Sequence, residues 1–324
     1  MKETVIIHCP GCGGTRHLDL GELRTPVETM EPHPESLRAM VSQTMPSRLM
    51  KCHECSLVFR ERSLTSSELR TLYENLPEKN WNYQPESVGS WKAAKRELLR
   101  LYAGQQSIRI LDIGAFDGTF LSQLPATWQK HAVEPSTSTA ETLRIRGIRR
   151  IAEFLEDPAL ETELGKFDCI TLLDVFEHLP NPQAAFNRIA SLLKPGGILL
   201  VSTGNSDHWT IRLLKGRHWY FHSIQHLCVP CLQVLRRYAT PTNLRLLVCV
   251  HHSHQLRGAA ERFDQFVETV YWYLRLKSIW VRWVATLIQQ LPRYHHLLHR
   301  ADSTKCDALH DHFLVVLQKL PLSP

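Results

Sequence analysis

Residues Ile110-Leu-Asp-Ile-Gly-Ala-Phe-Asp-Gly-Thr-Phe-Leu121, followed by His131-Ala-Val-Glu-Pro-Ser136, constrain this chain more than any other stretch. They read as a strand, a tight glycine turn, a helix and a second strand ending in a carboxylate. Gly114 and Gly118 let the backbone come close to a ligand at the carboxyl end of the first strand. Glu134 lies 20 residues beyond Gly114. At that spacing a carboxylate closing the second strand can accept two hydrogen bonds from a ribose diol. The pattern is that of a nucleoside-binding α/β half. Gly-x-Gly-x-x-Gly is absent, so it is not the dinucleotide fingerprint, and no Lys with Ser or Thr follows the turn, which excludes a P-loop.

A second, separate signal lies near the amino terminus. Cys9-Pro-Gly-Cys12 and Cys52-His-Glu-Cys55 are two Cys-x-x-Cys knuckles. A tight turn in each aims both sulfurs at one point, and four thiolates form the closed tetrahedral shell of structural zinc. Residues 1–62 are therefore expected to be a small zinc-ribbon-like unit ligated by Cys9, Cys12, Cys52 and Cys55. The 39 residues between the pairs are long for a ribbon, and Pro26, Pro32, Pro34 and Pro46 suggest an irregular insert. So small a segment buries little core, so zinc would contribute much of its folding energy, roughly 10 kcal/mol or more. A closed shell leaves no open position for catalysis, and His53 is read as a bystander.

The nine cysteines are an odd number, and Met1 to Ile7 is too short an apolar run for a secretory signal. A reducing, cytoplasmic setting is expected, with cysteines serving as metal ligands or core residues. No uncharged run reaches the roughly 18 apolar residues of a spanning helix. The net charge of +6 is uneven: residues 205–300 hold 13 Lys/Arg against four Asp/Glu, while residues 1–62 balance at eight of each. The basic third suits an anionic partner or an acidic membrane surface, or is an ordinary solvated face.

Thr65-Ser-Ser-Glu68 is a capping box opening a helix to about Asn75. Residues 76–90, with Pro77, Pro85 and Gly89, read as linker, so 63–90 is helix plus linker. A helix near Trp91–Tyr102 leads into the large unit, 91–324. Beyond the two strands above, Phe167-Asp-Cys-Ile-Thr-Leu-Leu-Asp-Val-Phe-Glu-His-Leu-Pro180 reads as a strand and an acidic, His-containing turn. Asn181 to Leu193 reads as a short helix, and Leu192-Leu-Lys-Pro-Gly-Gly-Ile-Leu-Leu-Val201 as helix end, Pro-Gly-Gly turn and strand.

In this order and spacing the chain resembles class I S-adenosylmethionine-dependent methyltransferases. The resemblance covers residues 91–205 well and 206–324 loosely. It implies an α/β fold, a Rossmann-like sheet with helices on both faces, and S-adenosylmethionine as cofactor. It places Asp112 near the methionine end of the cofactor, Gly114, Ala115 and Gly118 where the backbone must approach, Glu134 and Pro135 at the ribose, Glu153 and Phe154 beside adenine, and Asp174 on the same crevice. One departure exists: the middle glycine of the family's Gly-x-Gly-x-Gly turn is Phe116, read as a side chain turned away from the cofactor. With the knuckles, and Cys52-His-Glu-Cys-Ser-Leu-Val-Phe59 in particular, the chain is similar to bacterial methyltransferases with an amino-terminal four-cysteine unit, often of sugar or secondary pathways.

The expected reaction is methyl transfer to a hydroxyl, or to carbon or nitrogen, of a sugar, glycolipid or small metabolite. A hydroxyl must lose its proton near the transition state, and a neutral His can take it near physiological pH; His178 is the first candidate and His226 the second. In ubiquinone-pathway O-methyltransferases a turn similar to Asp174, Glu177 and His178 can bind a divalent metal. Cys228-Val-Pro-Cys231 with His251, His252 and His254 also has ligand spacing, but Pro230 starting a helix and two core cysteines explain it as well. Leu244–His251 and His312–Leu317 read as strands, the latter as the sheet edge. Between them, 259–299 reads as a helical insert. There Trp272, Leu276, Ile279, Trp280, Trp283, Val284, Leu287 and Leu291 recur at helical spacing opposite Arg275, Ser278, Arg282 and Gln289. Arg275, Lys277 and Arg282 oppose spanning a bilayer. Packing on the core is the expected role, with peripheral contact through 271–291 at the inner face of the membrane as the other.

Two further functions compete. One is a zinc-ribbon RNA methyltransferase, supported by the cysteines and the basic third. Against it, the zinc unit is neutral and Leu173-Asp-Val-Phe176 replaces the Asn-Pro-Pro-Tyr type motif. The other is a non-catalytic binding protein with a dead cofactor site, supported by Phe116.

Overall fold

The computed structural model describes residues 7–23, 44–75, 84–277, 279–300 and 305–321. Pro26, Pro32, Pro34, Pro77 and Ser278 lie outside them, as do the side chains of Ile279 and Trp280.

The amino-terminal strands are β1 (His17–Glu22), β2 (Arg48–Cys52) and β3 (Val58–Arg60). Helix α1 (Ser66–Asn75) follows the capping box: Glu68 Oε2 accepts from the Thr65 amide at 2.7 Å, and Thr65 Oγ1 accepts from the Glu68 amide. Helix α2 is Gly89–Leu101. Its start falls inside the segment expected to be linker, because Val88 and Gly89 are buried against the 252–255 backbone: a Cβ on Gly89 would lie 1.8 Å from the Ser253 carbonyl oxygen.

Then come β4 (Arg109–Ile113), α3 (Thr119–Ser122), β5 (Gln129–Val133), α4 (Ala140–Ile145), β6 (Arg149–Ala152), β7 (Phe167–Leu173), α5 (Pro182–Leu192) and β8 (Leu193–Gly204). The Pro-Gly-Gly segment lies within β8, where a register shift against β7 absorbs it, rather than forming a separate turn before the strand. The chain continues through α6 (Trp209–Leu214), β9 (Cys228–Val229), α7 (Leu232–Ala239), β10 (Leu244–His252), α8 (Ala259–Arg275), α9 (Ile279–Gln290) and β11 (His312–Lys319).

Among the described residues a seven-stranded sheet has the order β10-β11-β8-β7-β4-β5-β6. β4 pairs in parallel with β5 and β7, and β7 with β8, while β11 is antiparallel to both β8 and β10. Buried apolar residues coat both faces of this sheet, as a parallel sheet under helices requires. β11 is not the sheet edge expected of it. It is inserted between β8 and β10, and its first six residues, His312 to Leu317, are all buried. The edge on this side is β10, where only Leu244 and His252 are buried.

The smaller sheet has the order β1-β2-β3-β9. Its last strand comes from Cys228-Val229, which pairs with Phe59 and Val58, so the small sheet is not built from residues 1–62 alone. Cys228 and Cys231 are buried in the apolar core and keep company with Val234 and Leu235 rather than with imidazoles. Arg60 reinforces the join. Its buried guanidinium donates to the carbonyls of Phe221, Ser223 and His226, spreading its charge over three acceptors.

The insert holds two α-helices, α8 ending at Arg275 and α9 beginning at Ile279. Tyr271, Trp272 and Ala285 pack with Tyr294 and Leu297, but Trp283, Leu287 and Leu291 are more than half exposed and Leu276 is at the margin. The apolar stripe therefore does not pack on the core as a unit. No described helix is long and apolar enough to cross a membrane.

Candidate active site

A cleft of about 490 Å³ opens at the carboxyl ends of β4, β5, β6 and β7, where open α/β sheets bind their ligands. Of the residues singled out from the sequence, it is lined by Asp112, Gly114, Ala115, Glu134, Pro135, Glu153, Phe154, Asp174 and His178, and also by Phe116. Gly118 and His226 do not line it.

The turn after β4 explains the glycines. Gly114 has φ +73, and a Cβ there would lie 2.5 Å from Val175 Cγ2. Gly118 has φ +77 and caps α3, but a Cβ on it would strike Ile148 Cδ1 at 2.3 Å and Leu143 Cδ2 at 2.9 Å. These contacts set it against α4 and the segment before β6, away from the residues that line the cleft. Phe116 also has positive φ, at 49, is half-buried, and is among the residues that line the cleft. Its amide donates to Glu134 Oε2 at 2.7 Å.

Glu134 is held on both oxygens, with the Ser136 amide donating to Oε1 at 2.8 Å. Two backbone bonds leave each oxygen a further lone pair for a diol. Burial raises the pKa of Glu134, and the two amides and Arg150 oppose that rise. Asp112 is deeper: burial raises its carboxyl to about 7, against a bond donated by Thr171 Oγ1 at 2.6 Å. A cation placed beside Asp112 would restore its charge.

One wall of the cleft comes from a helix that no site motif marked. Helix α1 lays Arg70 and Tyr73 across it, anchored by Leu69 and Leu72 packing on Ile224 and Leu227. The Arg70 guanidinium carbon sits 3.7 Å from the Phe154 ring centroid, and Tyr73 Oη is 2.8 Å from His178 Nδ1. The capping box announces a helix here, but nothing in its sequence says which surface it covers.

After β7, Asp174 adopts φ 55 and accepts from Ser90 Oγ at 2.7 Å through Oδ2. Burial raises its pKa to about 7. Glu177 turns inward and is used by Thr203 Oγ1 and by the Tyr220 hydroxyl, one on each oxygen. His178 and His226 meet edge to face with centroids 5.0 Å apart. Burial lowers both pKa values, so both rings stay neutral near pH 7. The His226 Nδ1–H donates to the Tyr220 carbonyl at 2.5 Å.

The four cysteines expected to hold zinc come together. Cys9 and Cys55 sulfurs are 3.5 Å apart, Cys12 and Cys52 sulfurs 3.6 Å, and all four lie within 4.8 Å of one another as free thiols. A tetrahedron with sulfur about 2.3 Å from zinc has edges close to these separations. The donor set fits zinc.

A model of the methyltransferase-domain family matches residues 88–249, half of the chain. The chain belongs to this family. The methyltransferase is 34% identical over 132 residues to a ubiquinone biosynthesis O-methyltransferase of Xanthomonas campestris pv. campestris (strain B100), covering 35% of this chain and 54% of that one. It is 28% identical over 175 residues to the protein of the same name from Nitrosococcus oceani, covering 47% and 73%. The chain thus spans about half the length of the Xanthomonas relative. A solved structure of phosphoethanolamine N-methyltransferase 2 from Haemonchus contortus, in complex with S-adenosyl-L-methionine, aligns with TM-score 0.49 and 16% identity, covering 82% of this chain and 63% of that one.

Proposed function

We propose that this methyltransferase uses S-adenosylmethionine to methylate a hydroxyl, or less favourably a carbon or nitrogen, of a small-molecule acceptor such as a sugar, glycolipid or small metabolite. The observation that carries the reading is the cleft itself: Asp112 and Glu134 end the adjacent parallel strands β4 and β5, and Asp174 and His178 follow β7, the other neighbour of β4. The O-methyltransferase names of the curated relatives support the hydroxyl.

When bound, the cofactor supplies an electrophilic methyl group on a sulfonium, and the protein's share is to bind, align and deprotonate. Glu134, clamped by two amides, presents a fixed carboxylate to the ribose hydroxyls. Asp112 complements the positive methionine end. Arg70 on Phe154 closes a flat-walled slot for the base. His178, neutral and on the cleft wall, takes the acceptor proton, while His226 packs behind it as the second candidate. Tyr73 orients His178.

The same reading gives the exposed Trp283, Leu287 and Leu291 a role. With Arg275, Lys277 and Arg282 flanking them, they suit peripheral contact with an anionic membrane surface.

Methyl-labelled cofactor, incubated with the protein and an extract split into lipid/glycan, RNA and small-molecule fractions, tests the function. Label in the lipid/glycan or small-molecule fraction is expected. Nuclease-sensitive label would overturn it, and failure to bind cofactor at all would make the chain a non-catalytic binding protein.

A further inference from the structure

Three elements bring Asp174, His254 and His312 to one point. Asp174 follows β7, His254 follows β10 and His312 opens β11; one ligand atom from each lies within 4.8 Å of the others. Asp174 spends Oδ2 on Ser90, and its buried Oδ1 has no hydrogen-bond partner. His312 is 1% exposed, and neither of its ring nitrogens is hydrogen-bonded; His254 Nδ1 is also buried and unpartnered. Each unmet buried polar atom costs about 1–3 kcal/mol, so orphans converging on one point from three elements mark a place built for something they all bind.

We propose that this cluster is a divalent transition-metal site, held by one carboxylate oxygen and two imidazoles. That donor set suits zinc, manganese or ferrous iron rather than magnesium or calcium, which take oxygen ligands. The surroundings supply the outer shell such ligands need. Asp311 accepts from the His254 amide through Oδ1 at 3.1 Å, and its Oδ2 lies 3.1 Å from His312 Nδ1, close but not aligned as a hydrogen bond. A small rotation of the ring would make that bond and fix Nε2 as the ligand atom. Two carboxylates, Asp174 and Asp311, stand beside the two imidazoles here, a donor set that complements a dication. The neighbouring group of Glu177, His178 and His226 is spoken for: both oxygens of Glu177 are already bonded. His252 is likewise engaged, by Ser202 and the Ser253 carbonyl. Asp174 also lines the cleft, but its Oδ1 is buried and His254 and His312 are not on the lining, so the cation would sit behind the cleft wall.

The test adds Co²⁺ to full-length protein whose four cysteines are already loaded with zinc. One further equivalent should bind, with ligand-field absorption and no sulfur-to-cobalt charge-transfer band. Asp174→Asn, which keeps the side-chain shape, and His254→Gln, which removes the imidazole but stays polar, should each weaken that uptake at least tenfold while circular dichroism stays unchanged. No uptake beyond the cysteine-bound zinc would overturn the proposal. So would uptake that survives both substitutions. The readout needs no acceptor, so it separates failure of the metal site from failure of the proposed reaction.

Discussion

Arg70 on α1 stacks over Phe154 at the end of β6, 3.7 Å from cation to ring centroid. A helix that belongs, in chain order, to the amino-terminal segment thereby roofs the cleft of the methyltransferase sheet. Arg70→Ala should weaken binding of S-adenosylmethionine and of its demethylated product alike, by about 2- to 30-fold, the range of a cation–π contact from exposed to desolvated. Calorimetric titration of both ligands checks it; unchanged affinities would mean that α1 roofs the cleft without contributing to it.

Glu134 should matter more. Its two oxygens organise the Phe116 and Ser136 amides and face the cleft. Charge-assisted hydrogen bonds of about 1.5–3 kcal/mol each predict that Glu134→Ala raises the cofactor dissociation constant by about 10- to 100-fold or more. Glu134→Gln, keeping one acceptor oxygen, should lie between. Fluorescence titration distinguishes the three proteins.

Asp112 predicts a pH dependence with opposite signs for stability and for binding. Its folded pKa of about 7 lies above the ordinary 3.8, so the folded, ligand-free protein holds this proton more tightly than the unfolded chain. That contribution to stability is complete below the unfolded pKa and is lost as pH rises through about 7. A cationic ligand favours the carboxylate instead, so affinity for S-adenosylmethionine should rise from about pH 6 to about pH 8, with proton release on binding. Titrations in two buffers of different ionisation enthalpy measure the released proton. Asp112→Asn should flatten the profile, and a flat profile in the unsubstituted protein would refute the assignment.

Zinc should be needed for more than the amino-terminal knuckles. Tyr238 on α7 reaches Gly11, where a Cβ would lie 2.0 Å from its hydroxyl oxygen, and Cys228-Val229 extends the small sheet. Cys52→Ser is expected to abolish binding of about one zinc per chain and lower the melting temperature by several degrees. It should also weaken cofactor binding, because β3 leads directly into α1. Metal analysis with calorimetry tests the chain of effects; full cofactor affinity without zinc would uncouple the two.

Trp283 and Leu287 are 61% and 57% exposed on α9. Trp283→Glu with Leu287→Glu should abolish sedimentation with anionic vesicles and leave methyl transfer to a water-soluble acceptor intact. Equal sedimentation of both proteins would remove the membrane role.

How legible this molecule was depended on whether a feature is local. Strand, glycine turn and carboxylate between Ile110 and Ser136 are set by φ constraints and continuous apolar runs, both written in neighbouring residues, so the α/β half and the cleft-lining Asp112 and Glu134 could be read directly. The two Cys-x-x-Cys pairs needed only the geometry of a tight turn. The capping box at Thr65 announced α1 for the same reason.

What the sequence determined, then, is the α/β class, several of its strands along the chain and the residues whose backbone chemistry admits few alternatives. The tertiary structure alone decided where those pieces meet. β11 lies inside the sheet because it can pair on both sides, and Phe116 borders the cleft because Glu134 holds its amide. Gly118 serves packing because Leu143 and Ile148 lie against it. Arg70 reaches Phe154, and Asp174 reaches His254 and His312, across separations in sequence that carry no periodic signal. Such contacts follow from the burial of distant apolar faces against one another, which brings polar side chains together that no local pattern connects.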